Sequence, residues 1–172
     1  IIYKQRSQVL DGENLRDYFV SMISFVADNI VENTVGQAQY EDDFSWEQFF
    51  PLMLEKFGIV VNLSEDKRRE MTKESLKEFI VNLAMQVYEQ KEKEIGEETM
   101  RELERVILLQ VVDQKWMDHI DAMDQLRSGI GLRAYAQHDP VVEYKFEGMD
   151  MFDEMIANIK TDAVRHIFHA RI

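Results

Sequence analysis

Cysteine is absent from the 172 residues, which excludes a disulfide scaffold and any thiolate metal site and suits a reducing cytoplasm. Only two prolines and seven glycines occur, too few for a loop-rich or all-β chain, so long uninterrupted helices are expected. No apolar run approaches the roughly 18 residues that a membrane span requires. Basic residues are the minority, 20 against 33 acids, and the net charge of −13 argues against nucleic acid as a partner, because phosphate binding needs a basic surface. Glycine-rich phosphate loops are missing, no Gly-Lys-Ser/Thr occurs, and no serine sits in a nucleophile elbow. The composition is otherwise that of a folded protein with one or two domains.

What is present is helical periodicity. Residues 1–10 read as the tail of a helix broken near Asp11-Gly12, and without an initiator methionine or leader pattern they are expected to continue a longer chain. From Asn14 to Asn33, Leu15, Phe19, Met22, Val26, Ile30 and Val31 recur at three- and four-residue steps. Residues 34–43 are polar and predict a loop. Ser45 and Gln48 have the capping-box spacing for a short helix through Phe49 and Met53, which Pro51 is expected to kink or delay and Gly58 to stop. Ile59 to Leu63 is β-branched and predicts an extended segment with no evident partner strand. Thr72 is the next N-cap, and Leu76, Phe79, Ile80, Leu83, Val87 and Tyr88 form the buried side of its helix. The charge run Glu89–Glu94 reads as a solvated face, and Gly96 ends it.

Beyond Glu97 the apolar steps lengthen through Val106, Leu109, Val112, Trp116, Ile120, Met123, Leu126 and Ile130. A fresh start follows at Asp139, an N-cap, with Pro140 in the first helical position and Glu143 in the first turn. The second stripe is Val142, Phe146, Met149, Phe152, Ile156, Ile159, Ala163 and Ile167. Two such helices joined by about seven residues pack antiparallel, with 132–138 at the tip. His166 with His169, and Asp118, His119, Asp121 and Asp124, are the only metal-ligand clusters, and they read as solvated or structural groups. Met117, Met123, Met149, Met151 and Met155 serve either as core filler or as an adaptable surface. Tyr135 either tucks under the turn or projects to meet another chain. From these residues alone the chain is all-α and non-catalytic, with a free-standing helical adaptor or chaperone-like binding module among its readings.

The stretch Leu109–Pro140 and its continuation Val141–Phe152 closely resemble the SecA family of preprotein translocase motors. The likeness rests on Trp116, Asp118, His119, Ala122, Met123, Asp124, Leu126, Arg127, Gly129, Ile130, Leu132, Arg133, Tyr135, Ala136, Gln137, Asp139, Pro140, Glu143 and Tyr144. It is thinner over 1–30 and 85–108, and 34–70 are read from periodicity alone. The resemblance implies a tail of the long scaffold helix over 1–13, a helical wing domain over 14–95, and the two-helix finger with its following helix over 96–172. It implies that Leu132, Arg133, Ala134, Tyr135, Ala136 and Gln137 form a fingertip meeting the preprotein at the SecY channel, and that this segment also restrains the ATPase. ATP and Mg are implied only for the full-length protein, with none expected in this part. The family's nucleotide-binding folds, cross-linking domain and SecB-binding zinc tail have no counterpart here. The implied location is cytoplasmic, at the inner face of the cell membrane. An apolar face that would meet the missing domains is expected to be exposed and to favour self-association.

Overall fold

The computed structural model describes residues 15–37, 43–133 and 139–170. Among them are six helices and no strand: α1 (Leu15–Val35), α2 (Trp46–Phe57), α3 (Glu65–Glu70), α4 (Lys73–Ile95), α5 (Glu97–Arg133) and α6 (Pro140–His169). The fold class is therefore all-α, as the periodicity requires. Residues 1–13, read as a scaffold-helix tail, lie outside the described residues.

Helix α1 carries its stripe further than expected, because Thr34 and Val35 are buried and still helical. It ends at Gly36, whose φ of 54° and bond to the Glu32 carbonyl turn the chain. At Ser45 the expected capping box does not form. The backbone there sits at φ −80°, ψ 67°, and the hydroxyl makes no cap bond. Its carbonyl instead receives the N–H groups of Gln48 and Phe49, while its own N–H donates to Thr34 at 2.7 Å. Pro51 neither delays nor breaks α2. Lacking an N–H, it cannot donate to the carbonyl one turn back, that of Glu47, an exposed residue where water can take its place. Gly58 stops the helix in the left-handed region at φ 65°, its N–H on Leu54 and that of Ile59 on Met53.

The short α3 was not foreseen. Ser64 starts it by accepting from the Lys67 N–H at 3.3 Å. Thr72 caps α4 as expected, and Ser75 completes a reciprocal box that the sequence reading missed. The buried line of α4 runs Leu76, Ile80, Ala84 and Tyr88, in steps of four. That line leaves Val87 on the exposed side, where it had been placed in the core. Gly96, at φ 92°, is the single residue between α4 and α5.

One buried cluster unites these elements. Phe19, Met22, Ile23 and Ile30 of α1, Phe49, Met53 and Phe57 of α2, and the α4 line meet Met100, Leu108 and Val112 of α5 and Ile159, Ala163, Val164 and Ile167 of α6. At roughly 1.5–3 kcal/mol for each large apolar side chain buried, this shared core is the main source of stability. It also fuses the lower halves of α5 and α6 to the preceding helices.

Candidate functional site: the helical hairpin and its root

Helices α5 and α6 lie antiparallel, and their contacts step in opposite directions along the chain. Lys115 Nζ pairs with Asp162 at 2.8 Å. Nearer the tip, the His119 ring stacks on Trp116 with centroids 5.5 Å apart and meets the edge of Phe152 at 5.9 Å. Nearer still, Met123 faces Gly148 so closely that a β-carbon on the glycine would lie 3.0 Å from the Met123 methyl. Gly148 thus makes room for the Met123 side chain between the two arms. At the start of α6, Asp139 accepts from the Val141 N–H at 2.9 Å and Pro140 takes the first turn, as expected.

The two apolar stripes face each other less completely than their periodicity suggests. In the outer half, Leu126 is buried, but Phe146 is 64% exposed, Met149 65% and Met117 62%. Trp116, Ile120 and Val142 are also largely open, and so is Val106 nearer the root. The reason is geometric. A stripe wider than about 100° needs two neighbours. The root has them in α1, α2 and α4, whereas the outer half has only the other arm. Of the methionines, Met155 is core filler, whereas Met117 and Met149 lie on the surface.

Of the tip residues, Leu132 and Arg133 fall in the last turn of α5, so the helix continues past both Gly129 and Gly131. Their side chains lie outside the described residues, and so do Ala134, Tyr135, Ala136 and Gln137.

The root carries a polar cluster that sequence reading missed. Glu104 is fully buried on α5. Its carboxylate accepts from the Tyr88 hydroxyl at 2.6 Å and from Arg101 at 2.9 Å. Arg101 also pairs with Glu92, which Arg16 of α1 approaches at 3.8 Å. Burial pushes the Glu104 carboxyl up to about 6, against the opposing pull of Tyr88 and Arg101. Burial, reinforced by its bond to Glu104, likewise raises the Tyr88 phenol. A signal was available. Glu104 stands between Met100 and Leu108 in four-residue steps, so an acid occupies a core position of the stripe.

Nor is the Glu89–Glu94 run simply a solvated face. Lys91 donates to the carbonyls of Ile167 and Ala170 at the C-terminal end of α6, and its ammonium pKa is lowered by burial. The same helix end is held by His169 Nε2, 2.8 Å from the Glu55 carbonyl, and by Phe168 against Phe57. His119 and His169 are thus engaged in packing and bonding. Among the described residues no three His, Asp or Glu side chains are grouped to hold a metal ion. No described helix is long and apolar enough to cross a membrane.

Comparison with known proteins agrees with this architecture along the whole chain, including 34–70, where the residues had offered little to match. A family model described as the SecA wing and scaffold domain matches residues 1–171. The protein translocase subunit SecA of Caldicellulosiruptor saccharolyticus is 49% identical over 173 residues, covering 100% of this chain and 20% of that protein. The Clostridium perfringens subunit is 48% identical over 178 residues, covering 100% and 21%, and that of Heliobacterium modesticaldum is 46% identical over 172, covering 100% and 20%. The chain thus spans about a fifth of the length of the curated relatives it matches. It belongs to the SecA family, within which it corresponds to the wing and scaffold region.

Proposed function

We propose that this chain supplies the wing and the mechanical finger of a protein-translocation motor. Residues 14–95 act as the wing and 96–172 as the finger with its following helix. The tip residues 132–137 engage a translocating polypeptide at the entrance of the SecY channel. The observation that carries this reading is the contrast between the two ends of the hairpin, a root locked into a shared core and an outer half covered only by its own second arm. A 37-residue α5 is about 55 Å long, enough to carry a tip well away from its anchorage. Stiffness comes from the seam at Lys115, His119 and Gly148, and a stiff support transmits displacement that a loop would absorb.

In this reading the chain performs no chemistry itself. ATP and Mg act in the motor domains of the full-length protein, whose movement is passed to the finger through the root, and the finger also helps restrain hydrolysis. The protein works on the cytoplasmic side, at the membrane surface. A free-standing adaptor is less favoured, because the matching relatives are far longer than this chain; the exposed Met117 and Met149 are its best support.

The test is Tyr135→Ala in the full-length protein. Basal ATPase and the melting temperature stay near their parent values while transport of a preprotein into membrane vesicles drops. Transport at the parent rate would refute the fingertip role.

A further inference from the structure

The segment between α2 and α3 joins the shared core from outside the hairpin, and its burial is unusually regular in pattern. Ile59, Val61 and Leu63 are buried, whereas Val60 is 76% exposed and Asn62 is open. This is the two-residue alternation of a strand lying on a core, in a protein with no described strand. Ile59 gives its N–H to Met53, and the Leu63 carbonyl accepts from Arg68 Nε at 3.0 Å. Among the described residues, the backbone groups of Val60, Val61 and Asn62 enter no backbone hydrogen bond. Such a segment is a template on which another extended chain can pair.

Beside it lies an open groove of about 600 Å³, lined by Phe50, Val61, Asn62, Leu63, Lys67 and Arg68 among others, with two cations and no acid in its wall. Arg68 is held in place rather than free to wave. Its guanidinium lies 4.9 Å from the Phe50 ring centre and 6.0 Å from that of Trp46, and its Nε is fixed on Leu63. No described carboxylate pairs with it, although the chain has 33 acids to 20 bases. The acids of α3, Glu65, Asp66 and Glu70, stay out of the groove wall. A planar fork held at one nitrogen and lying over aromatic rings is organised to receive a carboxylate with its remaining donors.

We propose that residues 59–64 and the Arg68 platform form a docking site for an extended acidic segment of a partner protein, which pairs along Val60–Asn62 and delivers a carboxylate to Arg68. Charge selects the partner. On a chain of net charge −13, a groove wall with two cations and no acid favours an acidic segment over a basic one. The site is separate from the hairpin tip and stands independently of the role proposed there.

The probe is a capped peptide of alternating valine and glutamate, titrated into the 172-residue chain carrying Trp116→Phe, which leaves Trp46 as the only tryptophan. Binding is expected to change Trp46 fluorescence and to slow amide exchange at one or more of Val60, Val61 and Asn62. Replacing the glutamates by glutamine, or Arg68 by Ala, weakens binding about tenfold or more, the scale of a lost charge-assisted hydrogen bond. Arg68→Lys, which keeps the charge and guards against misfolding as the explanation, falls between. Equal affinity for the glutamine peptide, binding without amide protection, or no binding at all would overturn the proposal.

Discussion

Glutamate 104 offers a sharp quantitative test of the root. Its carboxyl is removed from water by Met100, Leu108 and their neighbours, and that loss of hydration outweighs the help of Tyr88 and Arg101. The rise from 4.5 to about 6 corresponds to about 2 kcal/mol. The folded protein therefore holds this proton more tightly than the unfolded chain does. The sign follows directly: the favourable contribution is complete below pH 4.5 and is lost as pH rises through about 6. Glu104→Gln keeps an acceptor for the Tyr88 hydroxyl but cannot titrate. Urea unfolding of both proteins between pH 4.5 and 7 removes every other carboxylate from the comparison, since those are common to both. The wild type should lose about 1.6 kcal/mol relative to Glu104→Gln across that interval, with equal m-values. A constant difference would show that Glu104 feels no net burial cost. A wild type that gains with pH would show that Arg101 dominates, and the account of the root would be wrong.

Gly58→Ala places a β-carbon at positive φ and 3.3 Å from the His169 ring; it should cost about 1–2 kcal/mol in urea unfolding, and a neutral result would refute the αL stop. Gly148→Ala should be near neutral, because the gain in helix propensity offsets a small shift of the flexible Met123 end, whereas Gly148→Leu overpacks the seam and costs about 1–3 kcal/mol. The open stripe of Phe146 and Met149 should drive self-association at high protein concentration. Light scattering would then show a mass that falls toward the monomer on Phe146→Glu with Met149→Glu, and a strictly monomeric parent chain would refute it.

The legible and illegible parts of this fold divide along physical lines. Helix α1 was readable because Phe19, Met22, Val26 and Ile30 answer to one core, and Thr72, Gly96 and Asp139 were readable because caps and breaks are local chemistry. Ser45 has the right letters for a capping box, but a cap needs an extended backbone, and the bond from its N–H to Thr34 goes with a different one. Val87 and Phe146 have the right letters and the right spacing, yet whether an apolar residue is covered depends on how many neighbours a helix finds, which no single stripe encodes. Lys91 was misread for the converse reason. A charged run is solvated only if nothing distant uses it, and the carbonyl end of α6, from 76 residues away, does. For the candidate site, the antiparallel arms were legible, the polar root was missed, and the residues of the tip lie outside the described structure.

Root and outer half also answer to opposite physical demands, which explains where the polar groups sit. A lever must not slip at its anchorage, and an apolar core alone permits sliding because dispersion contacts are interchangeable between similar packings. Tyr88–Glu104, Arg101–Glu92 and Lys91 on the end of α6 tie named atoms of α4, α5 and α6 together, so a shift of α5 or α6 by one turn would break them and leave Glu104 buried without these partners, a penalty of several kcal/mol. Packing supplies the stability of the root and the polar cluster supplies its register. Along the outer half no such register is needed beyond the two arms themselves. There, the contact of Met123 with Gly148 and the stacked His119 hold the arms together. If that division is right, Glu104→Leu with Tyr88→Phe should leave or raise stability, as apolar replacement of buried polar groups often does, while loosening the fixed distance between α4 and α5. Spin labels at introduced cysteines on exposed Glu78 and Glu102, in a chain with none of its own, would report that loosening as a broadened distance distribution. An unchanged, narrow distribution would assign the register to packing instead.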